Sequence, residues 1–275
     1  MTHPGESDNA NGENASENAV RTRIDGAVLE VVLHRPKANA IDAATSRAMG
    51  RVFAAFRDDP ALRVAIISGG GDKFFCAGWD LKAAAEGEAA TADFGVGGFG
   101  GLQELPDLNK PVIAAVNGIA CGGGLELALS ADLIVASESA KFALPEIHAG
   151  TLADAATIKL PRRMPHHIAM ELLLTGRWFD AQEAHRWGLV NEVTTAKELL
   201  PRAHALATQL AAGPPLVFAA IKESIRATET LSTQAAFDML REQRLATVKT
   251  LYASEDMREG AQAFLDKRAP VWKGR

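Results

Sequence analysis

Two carboxylates set in apolar runs hold the chemical promise of this chain: Glu126, within Leu125-Glu126-Leu127-Ala128-Leu129, and Glu146, within Leu144-Pro145-Glu146-Ile147. Burying a charge in such surroundings is costly unless something answers it. A pair of carboxylates suits proton transfer at two ends of one substrate, each transfer worth roughly 10²–10⁴-fold in rate. Taken singly, each is more often a helix cap or the partner of an Arg or Lys. Two glycine-bearing turns accompany them, Ala77-Gly78-Trp79 and Gly122-Gly123-Gly124, each after a strand-like run. Glycines at a helix start permit close backbone approach and leave N–H groups free. Two converging N–H groups stabilise a developing oxyanion, and loss of one donor typically costs about 10²–10³ in rate. The glycines fit a tight turn with close helix packing equally well.

Other reactive types carry less. Cys76 and Cys121 flank the two turns, but neither has a base or a metal ligand at useful spacing, so both read as small buried hydrophobes. His148 reads as a surface or packing residue, Asp80 as a turn former, and Asp132 as the turn before a strand. The ring of Trp79 could face a quaternary ammonium, as aromatic faces do; its firmer contribution is a backbone N–H.

The elements that must position these groups follow from periodicity. Pro111 to Ala136 reads as a strand, a turn at Asn117-Gly118, a crossing segment, the glycine run, a helix and a second strand from Asp132. Upstream, Ala27–Leu33 and Arg63–Ser68 read as strands around a helix over Asp42–Arg57. That helix is capped by Asp42 and carries Met49, Val52, Phe53 and Phe56 on one stripe. A glycine turn at Gly69-Gly70-Gly71 leads to a short strand at Phe74-Phe75-Cys76. Residues 83–104 are expected to start as helix and continue as a mobile loop. After Glu146 helices take over: Met170–Thr175 closed by Gly176, a helix capped by Asp180 and Glu183 and closed by Gly188, then Leu199–Ala212, Val217–Thr228, Leu231–Leu251 and one from Ser254 bearing Met257, Ala261 and Phe264. Alternating strands and helices imply an α/β layered fold with a helical C-terminal third that serves oligomerisation or as a lid.

Composition narrows the classes. The chain has 275 residues and a formal net charge of -5, and no Lys/Arg-rich block, which argues against nucleic acid as a partner. Two cysteines fit a reducing compartment, and no apolar run reaches membrane-spanning length. The first 20 residues lack the features of a signal peptide and are too polar to fold alone, so they are expected to be a disordered tail. Without a secretion signal, the sequon at Asn14-Ala15-Ser16 reads as chance. The expected division is a tail over 1–20, a catalytic core over 21–200 and a helical oligomerisation region over 201–275, in a cytoplasmic protein.

From about Thr22 to its end the chain resembles the crotonase (enoyl-CoA hydratase/isomerase) superfamily. Four motifs in order carry the likeness: Arg35-Pro36-Lys37-Ala38-Asn39-Ala40; Phe75-Cys76-Ala77-Gly78-Trp79-Asp80-Leu81; Asn117-Gly118 with Gly122-Gly123-Gly124-Leu125-Glu126-Leu127; and Phe142 with Pro145-Glu146. The resemblance implies an α/β, crotonase (ClpP-like) spiral of ββα units with a helical C-terminal trimerisation region. It implies that the N–H groups of Trp79 and Gly123 hold a thioester oxygen, that Glu126 activates water for attack at Cβ, and that Glu146 moves the proton at Cα. Coenzyme A would be contacted by Lys37, Ala38, Asn39, Ala40, Ala77, Asp80, Leu81 and Lys82, and by Phe264 and Lys267 of a neighbouring subunit. The implied partners are an acyl-CoA substrate and copies of the chain, as a homotrimer or dimer of trimers. No cofactor beyond the substrate's own coenzyme A, no metal and no membrane are implied.

Within the family, Arg35–Asp42, Gly78–Glu88 and Lys267–Arg275 resemble the subgroup acting on crotonobetainyl-CoA and carnitinyl-CoA. One departure stands out: where related hydratases carry a Pro-x-x-Gly-Gly run, this chain has Ala153-Asp154-Ala155-Ala156-Thr157, with Asp154 where a backbone N–H would help hold the water. A general short-chain hydratase, a double-bond isomerase and a catalytically weak CoA-binding scaffold are the alternatives. An isomerase needs one proton-shuttling carboxylate, so two favour hydration.

Overall fold

The computed structural model describes residues 19–275. The expected tail therefore falls almost wholly, and the sequon at Asn14 wholly, outside the described residues. Order begins ahead of Thr22, because β1 (Val20–Asp25) hairpins onto β2 (Val28–Leu33). Sequence periodicity misses β1, since five of its six side chains face solvent.

The chain then repeats one unit three times. β3 (Val64–Gly69) passes through a turn into β4 (Phe74–Cys76) and helix α2 (Leu81–Ala85). Likewise β5 (Val112–Val116) leads to β6 (Ile119–Cys121) and α3 (Gly123–Ala128), and β7 (Leu133–Ser137) to β8 (Lys141–Ala143) and α4 (Glu146–Ala149). The first strand of every unit joins a six-stranded sheet of order β1-β2-β3-β5-β7-β10, and the second joins a four-stranded sheet of order β4-β6-β8-β9. Here β9 is Phe179–Asp180 and β10 is Glu192–Thr194, elements too short to show a period in sequence. The long strands pair in parallel, Ile66 beside Ile113 and Ala114 beside Ile134. Because β4, β6 and β8 are also parallel neighbours, the starts of α2, α3 and α4 come side by side.

Both faces of the large sheet are covered, which explains its continuous apolar strands. Alternate residues Ala65, Ile67, Ala114, Val116 and Ile134 enter the main core with Phe53, Phe56, Phe75 and Phe142. Their neighbours Val64, Ile66, Ile113 and Val135 face the other way, against Leu199, Ala203 and Ala207 of a helix over Leu199–Ala211. The preceding long helix, α1 (Ala43–Asp58), starts where Asp42 accepts from the N–H of Thr45 at 2.7 Å, and it buries Met49, Phe53 and Phe56. The segment over 83–104 is fixed in its second half rather than mobile throughout. The N–H of Gly100 donates to Ser46 Oγ at 3.0 Å, and Gly101 packs so tightly on Met49 and Gly50 that a side chain there would strike their backbone.

The C-terminal region differs from expectation at one place. Leu231–Leu251 is two helices, Thr233–Arg241 and Ala246–Ala253, broken where Gln243 takes a positive φ of 49°. Their shared core is small, centred on Ala220, Leu245 and Val248, while Ile221, Ile225, Phe237, Tyr252 and Met257 remain exposed. The last helix, Glu255–Leu265, is capped by Ser254 and is held to the chain end by buried Asp256, which accepts from the N–H groups of Lys273 and Gly274 at 2.8 Å. Arg63, just ahead of β3, donates to the carbonyl of Trp272 at 2.9 Å and ties that end to the body.

Candidate active site

Two turns leaving β4 and β6 meet at the edge of the small sheet. The first passes through Gly78 with a φ of 90°, the second through Gly122 with a φ of 56°, both in the left-handed region that glycine tolerates without strain. A Cβ on Gly78 would lie 2.7 Å from the Cys121 carbonyl oxygen and 2.9 Å from the nitrogen of Gly123, so only glycine lets the turns touch. Ile41 braces the first turn from the other side: its N–H donates to the Gly78 carbonyl and its carbonyl accepts from Asp80, each at 2.8 Å. This bracing passes over Trp79. Among the described residues, neither the Trp79 N–H nor that of Gly123, first in α3, donates to a protein acceptor. Two free donors thus sit on touching turns, where the sequence places them.

The glycine run serves packing as well. A side chain on Gly122 would meet the Glu146 carboxylate, one on Gly123 the ring of Phe99, and one on Gly124 the Cys76 carbonyl.

Glu126 is the fourth residue of α3 and is only 7% exposed. Its Oε1 accepts from the N–H of Ala156 at 2.8 Å. Burial raises its pKa; that N–H opposes the rise, and the charge of Asp154 adds to it. Ala156 is the third residue of the helix Asp154–Lys159, so the departure from Gly-Gly keeps one N–H on the carboxylate, supplied one turn into the helix. Lys159, at the other end of that helix, donates to Ser130 Oγ at 2.9 Å and to the carbonyl of Gln103 at 3.1 Å, and Ser130 in turn donates to the Glu126 carbonyl at 2.9 Å. Burial lowers the Lys159 pKa to about 8. Neither Ala156 nor Lys159 carries a recognisable signal in sequence, for both act on a residue about thirty positions away.

Glu146 opens α4, is half-buried, and points toward Gly122. Its Oε2 is buried with no hydrogen-bond partner. Burial pushes its pKa up to about 7, and the charge of Glu126 pushes the same way. The two carboxylates therefore share a site and feel one another. Burial also raises the Cys76 thiol to about 12 and the Cys121 thiol to about 11, which leaves both un-ionised and poor nucleophiles. His148 is exposed and packs on Gly176 at the end of the helix His166–Thr175.

The residues expected around coenzyme A divide into two groups. Asn39 is buried and its side chain belongs to the scaffold: its carbonyl accepts from Arg35 N at 3.0 Å and its amide donates to Gly70, Phe74 and Phe75 carbonyls at 2.9–3.3 Å. Asp80 caps α2 through the Lys82 N–H and binds Arg35, which also binds Asp42 and the Ala40 carbonyl. The Ala77 N–H is spent on the Ala38 carbonyl at 3.0 Å. Lys37, Leu81 and Lys82, by contrast, are exposed beside this scaffold. Phe264 and Lys267, at the far end of the chain, also face solvent, Phe264 at 83% exposure.

A spiral of ββα units with two free N–H donors and two carboxylates, one buried and one half-buried, defines a class. The family model described as enoyl-CoA hydratase/isomerase matches residues 23–275, and the chain belongs to that family. Among curated relatives, the carnitinyl-CoA dehydratase of Proteus mirabilis (strain HI4320) is 58% identical over 251 residues, 91% of this chain and 96% of the relative. The carnitinyl-CoA dehydratase of Salmonella typhi is 56% identical over 261 residues, 94% of this chain and all of the relative. Among solved structures, the enoyl-CoA hydratase of Mycobacterium tuberculosis H37Rv superposes with a TM-score of 0.84 at 40% identity, covering 94% of this chain and 99% of that one. The Bacillus anthracis enoyl-CoA hydratase does so with a TM-score of 0.84 at 32% identity, covering 94% of this chain and 100% of that one.

Proposed function

We propose that this chain is a hydro-lyase that adds or removes water across the Cα–Cβ bond of an enoyl-CoA, with crotonobetainyl-CoA and carnitinyl-CoA as the substrate pair. The observation that carries the reaction type is the pairing of Glu126 with Glu146 beside the free N–H groups of Trp79 and Gly123. The relatives at 56–58% identity support the choice of acyl group.

The thioester oxygen takes the Trp79 and Gly123 N–H groups, which favour the charge that builds on it as Cβ is attacked. Glu126, ionised and oriented by Ala156, accepts a proton from the attacking water. Glu146 carries the other proton, suited to its pKa of about 7, and delivers it to Cα. Hydroxide adds at Cβ and a proton at Cα, and the pair keeps one proton throughout, moved from one carboxylate to the other. Dehydration runs the same path backwards. The chemistry is thus assigned wholly to the chain and the thioester, with no cofactor beyond the substrate's coenzyme A.

Coenzyme A would lie along the backbone of Lys37–Ala40, where Lys37 is exposed and Ala38 and Ala40 are half-buried, and by Ala77, Asp80, Leu81 and Lys82, with buried Asn39 and half-buried Asp80 shaping that surface. The apolar residues left open on the C-terminal helices support assembly as a trimer or dimer of trimers, with Phe264 and Lys267 reaching a neighbour's coenzyme. Among the described residues no single helix is long and apolar enough to cross a membrane. The free thiols of Cys76 and Cys121 fit a reducing compartment, and we place the enzyme in the cytoplasm on that ground.

The deciding test is a spectrophotometric assay of the conjugated enoyl-thioester band with crotonobetainyl-CoA and crotonyl-CoA in parallel. Loss of absorbance with a strong preference for crotonobetainyl-CoA is expected. Equal or reversed preference would make the enzyme a general short-chain hydratase, and no loss with either would overturn hydration.

A further inference from the structure

Trp79 does more in this fold than lend an N–H. Its indole Nε1–H donates to Oε1 of Glu88 at 2.8 Å, and Oε2 of the same carboxylate accepts from the N–H of Ala43, the first residue of α1, at 2.9 Å. Glu88 is half-buried, and among the described residues it has no Lys, Arg or His partner. The Arg35 guanidinium, which belongs to the scaffold holding Asp80, is divided between Asp42 and Asp80. A carboxylate is therefore fixed, by two donors, one side chain away from a residue whose backbone is to stabilise negative charge.

That arrangement is unfavourable for an ordinary enoyl-CoA. Charge builds on the thioester oxygen during attack, and a like charge nearby raises the energy of that state. The penalty disappears if the substrate brings its own cation to the spot. In crotonobetainyl-CoA the quaternary nitrogen is bonded to the γ-carbon, a few bonds from the thioester oxygen that Trp79 would hold, so it must lie among the side chains around the two turns. Besides Glu146, which faces Gly122 and is reserved for the proton at Cα, those side chains include the Trp79 ring with its attached carboxylate, and Phe99, which lies over Gly123 and packs edge-on to Phe94 at 5.5 Å between ring centres. Aromatic faces and a carboxylate that is hydrogen-bonded but has no cationic partner attract a trimethylammonium group, which has no hydrogen-bond donor to offer and is recognised by charge and ring faces alone.

We infer that Trp79 and Glu88 form the subsite for a positive charge on the acyl chain, and that Glu88 discriminates betaine-bearing from neutral acyl-CoA. The inference rests on the proposed function, because it presumes the acyl group lies at the Trp79 and Gly123 donors. It makes Glu88 a specificity residue with a built-in handicap against neutral substrates, the kind of repulsive element that specificity commonly needs.

The test separates this subsite from the reaction itself by using ligands that can be neither hydrated nor dehydrated. Binding of 4-trimethylammoniobutyryl-CoA and of butyryl-CoA, both saturated, is measured by calorimetry on the wild-type protein and on Glu88→Gln. The wild type should prefer the cationic ligand by about tenfold, and the preference should shrink as salt rises. Glu88→Gln should lose most of that preference while binding butyryl-CoA within about twofold of wild type, since the change removes charge and not shape. An equal preference in both proteins overturns the inference, as does a parallel loss of both ligands in the variant, which would mark Glu88 as a strut for the turn. Salt dependence in the wild type alone keeps the test open should the variant fold poorly: a ratio that does not move with salt also overturns it. Absence of crotonobetainyl-CoA turnover together with a salt-sensitive cationic preference would sink the reaction and leave the subsite standing.

Discussion

The second and third ββα units share one plan and treat their carboxylates differently. In β5–β6–α3, Glu126 sits one turn into its helix, enclosed, with the Ala156 N–H on one oxygen and the Lys159 ammonium nearby. In β7–β8–α4, Glu146 is the first helical residue, half-buried, with an oxygen that meets no donor. Burial raises both pKa values, but only Glu126 has neighbours that support its ionised form. Repeating an architectural unit thus yields two carboxyls in different settings, both with a pKa raised by burial but with neighbours opposing the rise only at Glu126, set by position along a helix and by what packs on it.

The sharpest way to break this contrast is to remove each carboxyl's proton chemistry in turn. Glu126→Gln and Glu146→Gln should each lower hydration by about 10²–10⁴-fold. Their effects should part when solvent deuterium exchange at Cα of butyryl-CoA is followed by mass spectrometry. Exchange needs only the Cα base, so it should survive in Glu126→Gln and vanish in Glu146→Gln. The reverse pattern would swap the two roles.

A smaller effect should come from Lys159→Met. One proton shared by two coupled carboxylates gives a bell-shaped kcat/KM profile, and the profile should be the same in both directions because the reaction consumes no net proton. Its alkaline limb reflects loss of the last proton, near the Glu146 value of about 7. Lys159 is cationic below its pKa of about 8 and lowers that of Glu126. Replacing it by Met should move the acid limb to higher pH, while Lys159→Arg should keep it in place. A uniform drop at all pH values would mean that Lys159 serves packing alone.

What could be read without the fold follows from the range of the interactions. The glycine turns, the apolar strands and the two carboxylates announce themselves locally, and Asp42 and Asp180 cap helices as their spacing predicts. Missed strands are either solvent-facing, as β1 is, or two to three residues long, as β8, β9 and β10 are. The break at Gln243 escapes notice because no Gly or Pro marks it. The polar settings of the site were illegible for another reason. Ala156, Lys159 and Glu88 touch their targets only after distant segments pack, and nothing in their local sequence says so.

The mildest consequence of the contrast lies in stability. A Glu whose folded pKa is raised from about 4.5 to about 7 holds a proton that the unfolded chain has already released within that window. Stability then falls as pH rises from about 4.5 to about 7, because the native state binds more protons than the unfolded one. Glu146→Gln removes the penalty. At pH 4, where Glu146 is largely protonated in both states, the wild type and the variant should melt alike, and at pH 8 the variant should be more stable by about 1–2 kcal/mol, a figure reduced for the partial exposure of the group. That gap corresponds to a rise of a few degrees in Tm, measured at one fixed protein concentration so that assembly does not shift it. Glu126→Gln should not gain in the same way, since the amide oxygen can accept from the Ala156 N–H but only as a neutral acceptor, and it brings no charge to answer Lys159. Equal shifts in the two variants would show that the neighbours of Glu126 contribute nothing to holding its charge, and the difference between the two units would reduce to depth of burial.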